Sequence, residues 1–126
     1  MNDKYSKIHE TTLYEIWKRQ SYNSTLKTSS GEEIKILDVG VHNQESAGPD
    51  FKNARIRIGN LTYVGDIEID NEYTDWKSHG HNIDNRYNKV ILHASLVNPH
   101  NYGHVYTRDG RKVNSICFSE FVEESN

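Results

Sequence analysis

The fold of this chain is decided by residues 48–70, which read GPDFKNARIRIGNLTYVGDIEID. Apolar and polar residues alternate on both sides of Gly59-Asn60, and a Gly-Asn pair between two alternating runs is typical of a two-residue hairpin turn. The hairpin folds the chain back on itself. Two acidic residues near its ends, Asp50 and Glu68, therefore become neighbours in space although they are far apart in sequence.

The pairing of Ile58 with Leu61 across this turn fixes which side chains share a face of the sheet. We call the predicted core side the first face and the predicted polar side the second face. The first face carries Ala54, Ile56, Ile58, Leu61, Tyr63, Ile67 and Ile69, and the second face carries Arg55, Arg57, Thr62, Val64, Asp66, Glu68 and Asp70.

The register raises a question about the acidic residues. In a perfectly regular ladder Asp50 lies opposite Ile69, so it does not share a face with Glu68. The acids converge only if the chain bends at Gly48-Pro49 or if a bulge intervenes. We expect a bend, because proline cannot donate a ladder hydrogen bond and glycine relaxes the backbone just before it.

Length and composition describe a single domain, residues 1–126, with a formal net charge of −3. This charge gives no global attraction to nucleic acid, so such binding requires a local basic patch. The single cysteine, Cys117, excludes an internal disulfide and a cysteine-based zinc site. No apolar stretch reaches transmembrane length and no apolar signal region begins the chain, so we expect a cytoplasmic protein that is not in a membrane.

One helix is predicted near the start of the chain, over residues 12–20. Thr12 and Glu15 fit a capping box, in which each side chain satisfies a free backbone amide of the first turn. Apolar side chains then follow at helical spacing and give the helix one buried face. These side chains are Leu13, Ile16 and Trp17.

The remaining residues, 26–118, are predicted to build the sheet. Turn signals at 29–31 and 108–110 each separate two short strand-like runs and predict two further hairpins. Residues 89–97 form an apolar, branched run typical of a central strand. The acidic residues 119–126 are expected to form a frayed tail. The pattern predicts an α+β fold in which the N-terminal helix packs on a mostly antiparallel or mixed β-sheet built from hairpins.

The acidic residues of the hairpin are candidate metal ligands. Asp50 and Glu68 offer hard oxygen ligands, and Asp66 or Asp70 can add to them. Carboxylates gathered at one sheet edge repel each other unless a cation lies between them, and Mg²⁺ or Mn²⁺ held there can polarise a phosphodiester and lower the pKa of a bound water. The alternative is a solvated hairpin face on which the two arginines pair with the acids, with little energy at stake.

A second cluster lies in the polar segment 75–84, where His79 and His81 precede Asp84. On an extended stretch His-x-His points both rings to one side, and Asp84 or His93 can complete a zinc-type ligand set. His79 can instead act as a general base beside the acids. The alternative is that both histidines hydrogen-bond this loop to the sheet without further function.

His93 lies in the predicted central strand, with the opposite parity to Val90, Leu92, Ala94 and Leu96. If those four side chains face the core, His93 faces the polar side of the sheet, where the acids are expected. The alternative is an ordinary buried histidine whose ring nitrogens are satisfied by hydrogen bonds.

Four motifs occur in order along the chain: GPDFxxA at 48–54, GxxEI at 65–69, DWxxHxHxxDxxY at 75–87 and VILH at 90–93. In combination they resemble an uncharacterised bacterial protein family of unknown function, over residues 13–118. Members of that family are usually longer, so the chain resembles their N-terminal part. The family in turn is similar to the PD-(D/E)xK nuclease-like superfamily, which implies a restriction-endonuclease-like core.

In that superfamily a Pro-Asp opens one strand, an acid-x-Lys motif lies on the next strand, and a nearby helix contributes a glutamate. The resemblance therefore assigns the first acid to Asp50 and the second acid to Glu68. It implies Glu15, or in its place Glu10, as the helix acid.

The chain departs from the superfamily at one position, because Asp70 stands where the lysine is expected. That lysine orients the attacking water and stabilises developing negative charge, which an aspartate cannot do. Either another cation takes its place, with Lys77, His79 and His81 as candidates, or hydrolysis is lost.

The first functional hypothesis is therefore a divalent-metal-dependent, nuclease-like phosphodiesterase domain that binds Mg²⁺ or Mn²⁺ and acts on nucleic acid. Asp50 and Glu68 hold the metal in this hypothesis, and His79 or His81 assists catalysis. The pattern selects neither DNA over RNA nor an oligomeric state.

Two further hypotheses use the same residues differently. One is a non-catalytic module on the same fold that binds nucleic acid or a protein partner. Its phosphate contacts would be the cations Arg55, Arg57, Lys52 and Lys77. The other is a zinc or structural-metal domain centred on His79, His81 and Asp84.

Overall fold

The structure is a computed structural model that describes residues 10–22, 26–45 and 47–118. Within these ranges the chain has an α+β fold with a few short helices and a mixed, open sheet of seven strands. The helices are α1 (Glu10–Lys18) and α2 (Asp75–Ser78), and 3-10 turns cover Arg19–Tyr22, His81–Ile83 and Asn85–Tyr87. The strands are β1 (Ile34–Asp38), β2 (Val41–His42), β3 (Phe51–Ile58), β4 (Leu61–Glu72), β5 (Val90–Val97), β6 (His104–Tyr106) and β7 (Lys112–Cys117).

Neighbouring strands run in the order β1-β3-β4-β5-β7-β6, and β2 also pairs with the start of β3. Strand β5 is parallel to both of its neighbours, β4 and β7, whereas the other pairs are antiparallel. The predicted α+β class is confirmed, and the sheet is mixed. The central strand predicted over 89–97 is confirmed as β5.

Helix α1 begins earlier in the sequence than predicted. Thr12 and Glu15 both lie inside a helix that already includes Glu10. The predicted capping box is therefore wrong, because a residue inside the helix cannot serve as its N-cap. The predicted buried face is confirmed, and the Trp17 indole N–H also donates to the Val39 carbonyl oxygen at 2.9 Å.

The main core lies between α1 and the first face of the sheet. Its side chains come from α1 and mostly from the alternate positions of five neighbouring strands, β1, β3, β4, β5 and β7. The largest fully buried ones are Trp17, Phe51 and Phe118. Leu61 pairs with Ile58 and so lies on this face, as predicted, but it is 62% exposed because it adjoins the turn at the free end of the hairpin. The prediction that Leu61 is part of the core is therefore wrong.

A β-bulge brings the two acids of the hairpin together. Ala54 pairs with Gly65, whereas Phe51 pairs with Ile67, so β3 has one extra residue in this interval. Asn53 lies in the bulge with a φ of 58°, in the left-handed region. The extra residue shifts Asp50 from the position opposite Ile69 to the position opposite Glu68. The expected convergence of the acids is confirmed, but the bulge at Asn53 produces it, and not the expected bend at Gly48-Pro49.

A second irregularity lies at the start of β5. Asp66 pairs with Val90 but Ile67 pairs with Leu92, so Ile91 is the extra residue there. As a result Val90 packs with the smaller cluster on the second face, contrary to the predicted parity. His93 lies beside Glu68 on the second face, as predicted.

Gly65 permits this close pairing of β4 with β5. A Cβ at Gly65 would collide with the carbonyl oxygen of Lys89 and lie 2.5 Å from Cγ2 of Ile91. The amide of Asp66 donates to that same Lys89 oxygen at 2.8 Å. Gly65 therefore sets the position of the acidic residues that follow it in β4.

The segment between β4 and β5 covers the second face. Helix α2 ends at a turn in which Gly80 has a φ of 76°, and two 3-10 turns return the chain to the sheet. This segment brings its own small core against strands β5, β6 and β7. The members of that core are Trp76, Tyr87, Val90, Val105 and Val113, with Tyr73 packed against them.

The other predicted hairpins have different outcomes. The hairpin around 108–110 is confirmed as β6 and β7. The hairpin around 29–31 is reduced to a single bridge between Lys27 and Glu33, because β1 pairs with β3 instead. The predicted tail at 119–126 lies outside the described residues. In the described part of the chain, no helix has the length and apolar character needed to cross a membrane.

Candidate metal site

A row of polar side chains crosses the second face of the sheet. Glu68 on β4 pairs with His93 on β5, and His93 pairs with Ser115 on β7. Asp50, just before β3, continues the row beyond Glu68, and Asp70 lies two residues farther along β4. Glu68, Asp70, His93 and Ser115 are all buried, which is uncommon for ionisable side chains unless they are paired.

Asp50 is held by two hydrogen bonds. The Tyr14 hydroxyl donates to Oδ1 of Asp50 at 3.0 Å, and the amide of Ile69 donates to Oδ2 at 2.8 Å. Burial raises the pKa of Asp50 above its usual value, while these hydrogen bonds and one with Glu68 act in the opposite direction. Helix α1 therefore reaches the site through Tyr14.

Glu68 is the most perturbed group in the site. Burial first, and then the nearby charges of Asp50 and Asp70, raise the pKa of Glu68 to about 12. The carboxyl groups of Asp50 and Asp70 lie within hydrogen-bonding reach of Glu68, and no amide or hydroxyl of the described residues donates to its buried Oε1. We call Asp50, Glu68 and Asp70 the carboxylate cluster. Three carboxyl groups this close cannot all be ionised unless a proton or a cation is bound among them.

His81 lies directly against the carboxylate cluster. Its Nε2 lies 3.0 Å from Oε2 of Glu68 and 3.9 Å from Oδ1 of Asp70. The ring stacks on Tyr87 with 4.0 Å between centroids, and the edge of Trp76 packs nearby at 5.5 Å. Burial lowers the pKa of His81, and this favours the uncharged imidazole that binds metal ions.

Asp70 links the cluster to two further histidines. Its Oδ2 lies 2.9 Å from Nε2 of His93, and its Oδ1 lies 3.9 Å from Nδ1 of His79. The side chain of His79 is 56% exposed, so it lies at the opening of the site. One ligand atom from each of Asp70, His79 and His81 lies within 4.8 Å of the other two, a spacing that can hold a metal ion.

The chemistry of these side chains fits a divalent cation. Carboxylate oxygens suit Mg²⁺ and Mn²⁺, whereas imidazole nitrogens suit zinc and other transition metals. Asp70 belongs both to the oxygen-rich carboxylate cluster and to the group that it forms with His79 and His81. The site therefore offers a mixed oxygen and nitrogen ligand set with one exposed member.

Two predicted ligands are not brought into the cluster. Glu15 is exposed and pairs with Lys18 at 3.3 Å, because it points away from the sheet. Asp66 accepts the amide of Asn53 at 3.2 Å and pairs with the ammonium of Lys52 at 3.5 Å, so it braces the bulge. The side chain of Glu10 lies outside the described residues.

Asp84 is not a ligand of the histidine segment either. Its carboxylate accepts the backbone amide of Arg86 at 2.9 Å and pairs with the guanidinium at 2.6 Å. These contacts lower the pKa of Asp84 to about 2. The predicted grouping of Asp84 with the two histidines is wrong, because Asp84 caps a 3-10 turn, and Asp70 takes the third place.

The predicted phosphate contacts fall into two groups. Arg55 and Arg57 are exposed on the hairpin, and Lys77 is exposed on α2. Lys52 is only partly exposed and is held by Asp66. Neither arginine forms an ion pair with the carboxylate cluster in the described ranges. The alternative of a solvated face neutralised by arginines is therefore wrong for Glu68 and Asp70, which are 5% and 6% exposed.

Tyr14 and Ser115 belong to the site but are not identified by the sequence. A signal for Tyr14 exists, since it lies three residues before Trp17 on the buried side of α1. Ser115, whose Oγ lies 3.4 Å from Nδ1 of His93, has no signal, because its place depends on the parallel pairing of β7 with β5.

Comparisons with known proteins give one match. Residues 10–126 match the family described as "Protein of unknown function (DUF2851)". A comparison with curated proteins and another with solved structures gave no match.

Proposed function

The chain belongs to the DUF2851 family of unknown function, and we propose that it is a divalent-metal-dependent hydrolase of nucleic-acid phosphodiesters. The observation that carries the proposal is the buried carboxylate cluster of Asp50, Glu68 and Asp70, closed by His81. Such a cluster is unfavourable unless it holds something positive, and it adjoins an exposed histidine.

The residues of the site fit a cation better than they fit a structural role. A proton on Glu68 relieves the repulsion only in part, because its Oε1 still receives no N–H or O–H hydrogen bond from the described residues. Asp50, Glu68 and Asp70 would hold the cation through oxygen, and His81 through Nε2. A cation held there would polarise a phosphodiester and lower the pKa of a bound water.

The remaining side chains orient the ligands and move protons. Tyr14 fixes Asp50 from α1, and His93 fixes Asp70 from β5. Such outer contacts orient metal ligands and tune their basicity. His79 lies at the opening with an exposed imidazole, where it can accept a proton from an attacking water or donate one to a leaving group.

The arrangement along the chain supports a PD-(D/E)xK-like core as part of this proposal. Pro49-Asp50 precedes β3, and the pair Glu68 and Asp70 lies on β4, the next strand along the hairpin. Helix α1 lies close to the first acid but offers it Tyr14. Because Asp70 replaces the expected lysine, the missing positive charge would come from the cation that these residues hold.

Nucleic acid is the proposed substrate because exposed cations flank the site. Arg55 and Arg57 lie on the same face of the hairpin as Glu68, and Arg55 pairs with Val64, four residues before Glu68. This places Arg55 about 13 Å from Glu68 along the strand. Phosphates on either side of a scissile bond can therefore reach these arginines and Lys77.

Cleavage of end-labelled DNA and RNA in the presence of Mn²⁺, Mg²⁺ or Zn²⁺ tests the proposal. We expect metal-dependent cleavage by the natural chain and a loss of about 100-fold or more in Asp50→Asn and Glu68→Gln. Glu15→Gln is the matched control, since Glu15 is exposed and pairs only with Lys18 among the described residues. Full activity in Glu68→Gln, or no cleavage with any of the metals, contradicts the proposal.

A zinc site is the second candidate, favoured by the spacing of Asp70, His79 and His81. Metal analysis of the purified chain distinguishes it. Stoichiometric zinc that is lost in His79→Ala and retained in Asp50→Asn supports the zinc site, and absence of zinc removes it.

A further inference from the structure

A cavity of about 600 Å³ lies between α2 and the edge strand β6. It is lined by residues 73–74 and 76–78, by Asn82 and by all of β6, and none of the carboxylate cluster contributes to it. Its volume is within the usual range for sites that bind small molecules. The cavity is therefore a second concave feature, beside the candidate metal site.

The polar groups of the two aromatic side chains Tyr73 and Trp76 in the cavity wall already form hydrogen bonds within the protein. The Tyr73 hydroxyl donates to the carbonyl oxygen of His104, and the Trp76 indole N–H donates to that of Tyr106 at 3.0 Å. These bonds hold α2 and the preceding turn against the edge of β6. What remains towards the cavity is mostly apolar ring and aliphatic surface, which suits a flat ligand.

The polar groups of the cavity favour an anion that can also form hydrogen bonds. No aspartate or glutamate is among the lining residues, whereas Lys77 brings an ammonium group and His104 an imidazole. The amide of Asn82 and the hydroxyls of the 74–78 segment can pair with the edge of a heterocyclic base. A flat ring with hydrogen-bonding edges and an attached negative charge is the chemistry of a nucleotide.

One side chain separates this cavity from the candidate metal site. The ring centroid of Trp76 lies 5.5 Å from that of His81 and 5.4 Å from that of His93. We propose that the cavity binds one nucleotide of the substrate, with the base against the aromatic wall and the phosphate at Lys77. This inference rests on the proposed function, because it names the part of the substrate that is recognised beside the cleaved bond.

Equilibrium titration of the chain with AMP and TMP in EDTA tests the inference without any metal. We expect both to bind, and Tyr106→Ala and Lys77→Ala to weaken binding about tenfold each, because stacking and a phosphate contact are lost. Both side chains are exposed, so these variants keep the fold. Lys27→Ala, a change at an exposed lysine outside the cavity, should bind as the natural chain does.

Competition distinguishes the sources of the ligand. A short single-stranded oligonucleotide should displace the bound AMP at a lower concentration than competing free AMP does. Inorganic phosphate alone should not displace the bound AMP. An oligonucleotide that fails to displace AMP, or phosphate that displaces it fully, overturns the assignment to a nucleotide unit of a chain.

The two proposals fail separately. Glu68→Gln should abolish cleavage and leave AMP binding unchanged. If the natural chain cleaves nucleic acid but does not bind AMP, or if Tyr106→Ala binds AMP as tightly as the natural chain, the nucleotide subsite is wrong and the hydrolase remains. If AMP binds and no cleavage occurs with any metal, the hydrolase is wrong and the subsite remains.

Discussion

Nε2 of His93 lies within hydrogen-bonding distance of Oδ2 of Asp70, at 2.9 Å, and both side chains are buried. With the proton on Nε2, Nδ1 accepts a hydrogen bond from the hydroxyl of Ser115 at 3.4 Å, so both ring nitrogens have a partner. Asp70 is thereby fixed with its second oxygen towards His79 and His81. The residue that replaces the expected lysine is therefore a positioned part of the site.

Replacing His93 should weaken the fold through Asp70. His93→Leu leaves a buried carboxylate without its donor, which costs about 1–3 kcal/mol in the free energy of unfolding. His93→Gln keeps an N–H donor and should lose less. Chemical denaturation of each variant measures the difference.

Ser95→Ala is the matched control for His93, because Ser95 lies on the same strand, is fully buried and has an Oγ without a hydrogen-bond partner in the described part of the chain. This change should alter stability by less than about 0.5 kcal/mol. Equal losses in Ser95→Ala and His93→Leu would show that the bond to Asp70 contributes nothing.

The raised pKa of Glu68 predicts a stability that falls with rising pH when no metal is present. The folded chain keeps a proton on Glu68 that the unfolded chain releases above its usual pKa of 4.5. Stability from this group is therefore complete below pH 4.5 and declines above it, by up to about 1.4 kcal/mol per pH unit. Glu68→Gln should remove this decline.

Denaturation in EDTA between pH 5 and pH 8 measures this effect. The natural chain and Glu68→Gln should differ most at pH 8, where the variant is the more stable. Parallel curves for the two proteins would mean that Glu68 is ionised in the folded chain, against the electrostatic account of the carboxylate cluster.

Tyr14, and not Glu15, should be the functional residue of α1. Tyr14→Phe removes a hydrogen bond to Asp50 and should lower the free energy of unfolding by about 1 kcal/mol and weaken the binding of Mn²⁺. Glu15→Gln should change neither quantity. Calorimetric titration with Mn²⁺ compares the metal affinity of the two variants. A larger loss of affinity in Glu15→Gln than in Tyr14→Phe would mean that Glu15 acts as the helix acid of the site.

Gly65→Ala should disturb both the fold and the site. The added methyl group meets the carbonyl oxygen of Lys89, so β4 and β5 must shift at the point where the acidic row begins, at a cost of about 1–3 kcal/mol. Gly103→Ala is the control, since the nearest atom to its Cβ is a side-chain carbon of Ser30 at an ordinary 3.4 Å. Equal thermal stability of the two variants would contradict this role for Gly65.

Local patterns predict the central hairpin, the helix and the buried strand β5 because each depends on residues close together in sequence. The Gly59-Asn60 turn fixes the register of β3 and β4 over its first residues. The capping box at Thr12 fails for a related reason, since a short motif can fit by chance inside a helix.

Long-range pairing is the part that local patterns do not predict. Asp50 and Glu68 meet because of one extra residue in β3, and the sequence indicates an irregularity there without fixing its position. Ser115 joins His93 through a parallel pairing over 22 residues of sequence separation. Side-chain partners across strands, such as Lys52 for Asp66, follow from the pairing and remove residues that composition alone offers as ligands.

Calorimetric titration of the metal-free chain with Mn²⁺ at pH 7 is the most direct test, run beside Glu68→Gln and the control Glu15→Gln. We expect the natural chain and the control to bind Mn²⁺ at a defined stoichiometry with release of protons, because a cation takes the place of the proton on Glu68. Glu68→Gln should bind at least about tenfold more weakly. Equal affinity in Glu68→Gln, or no binding by the natural chain, would contradict a cation among Asp50, Glu68 and Asp70.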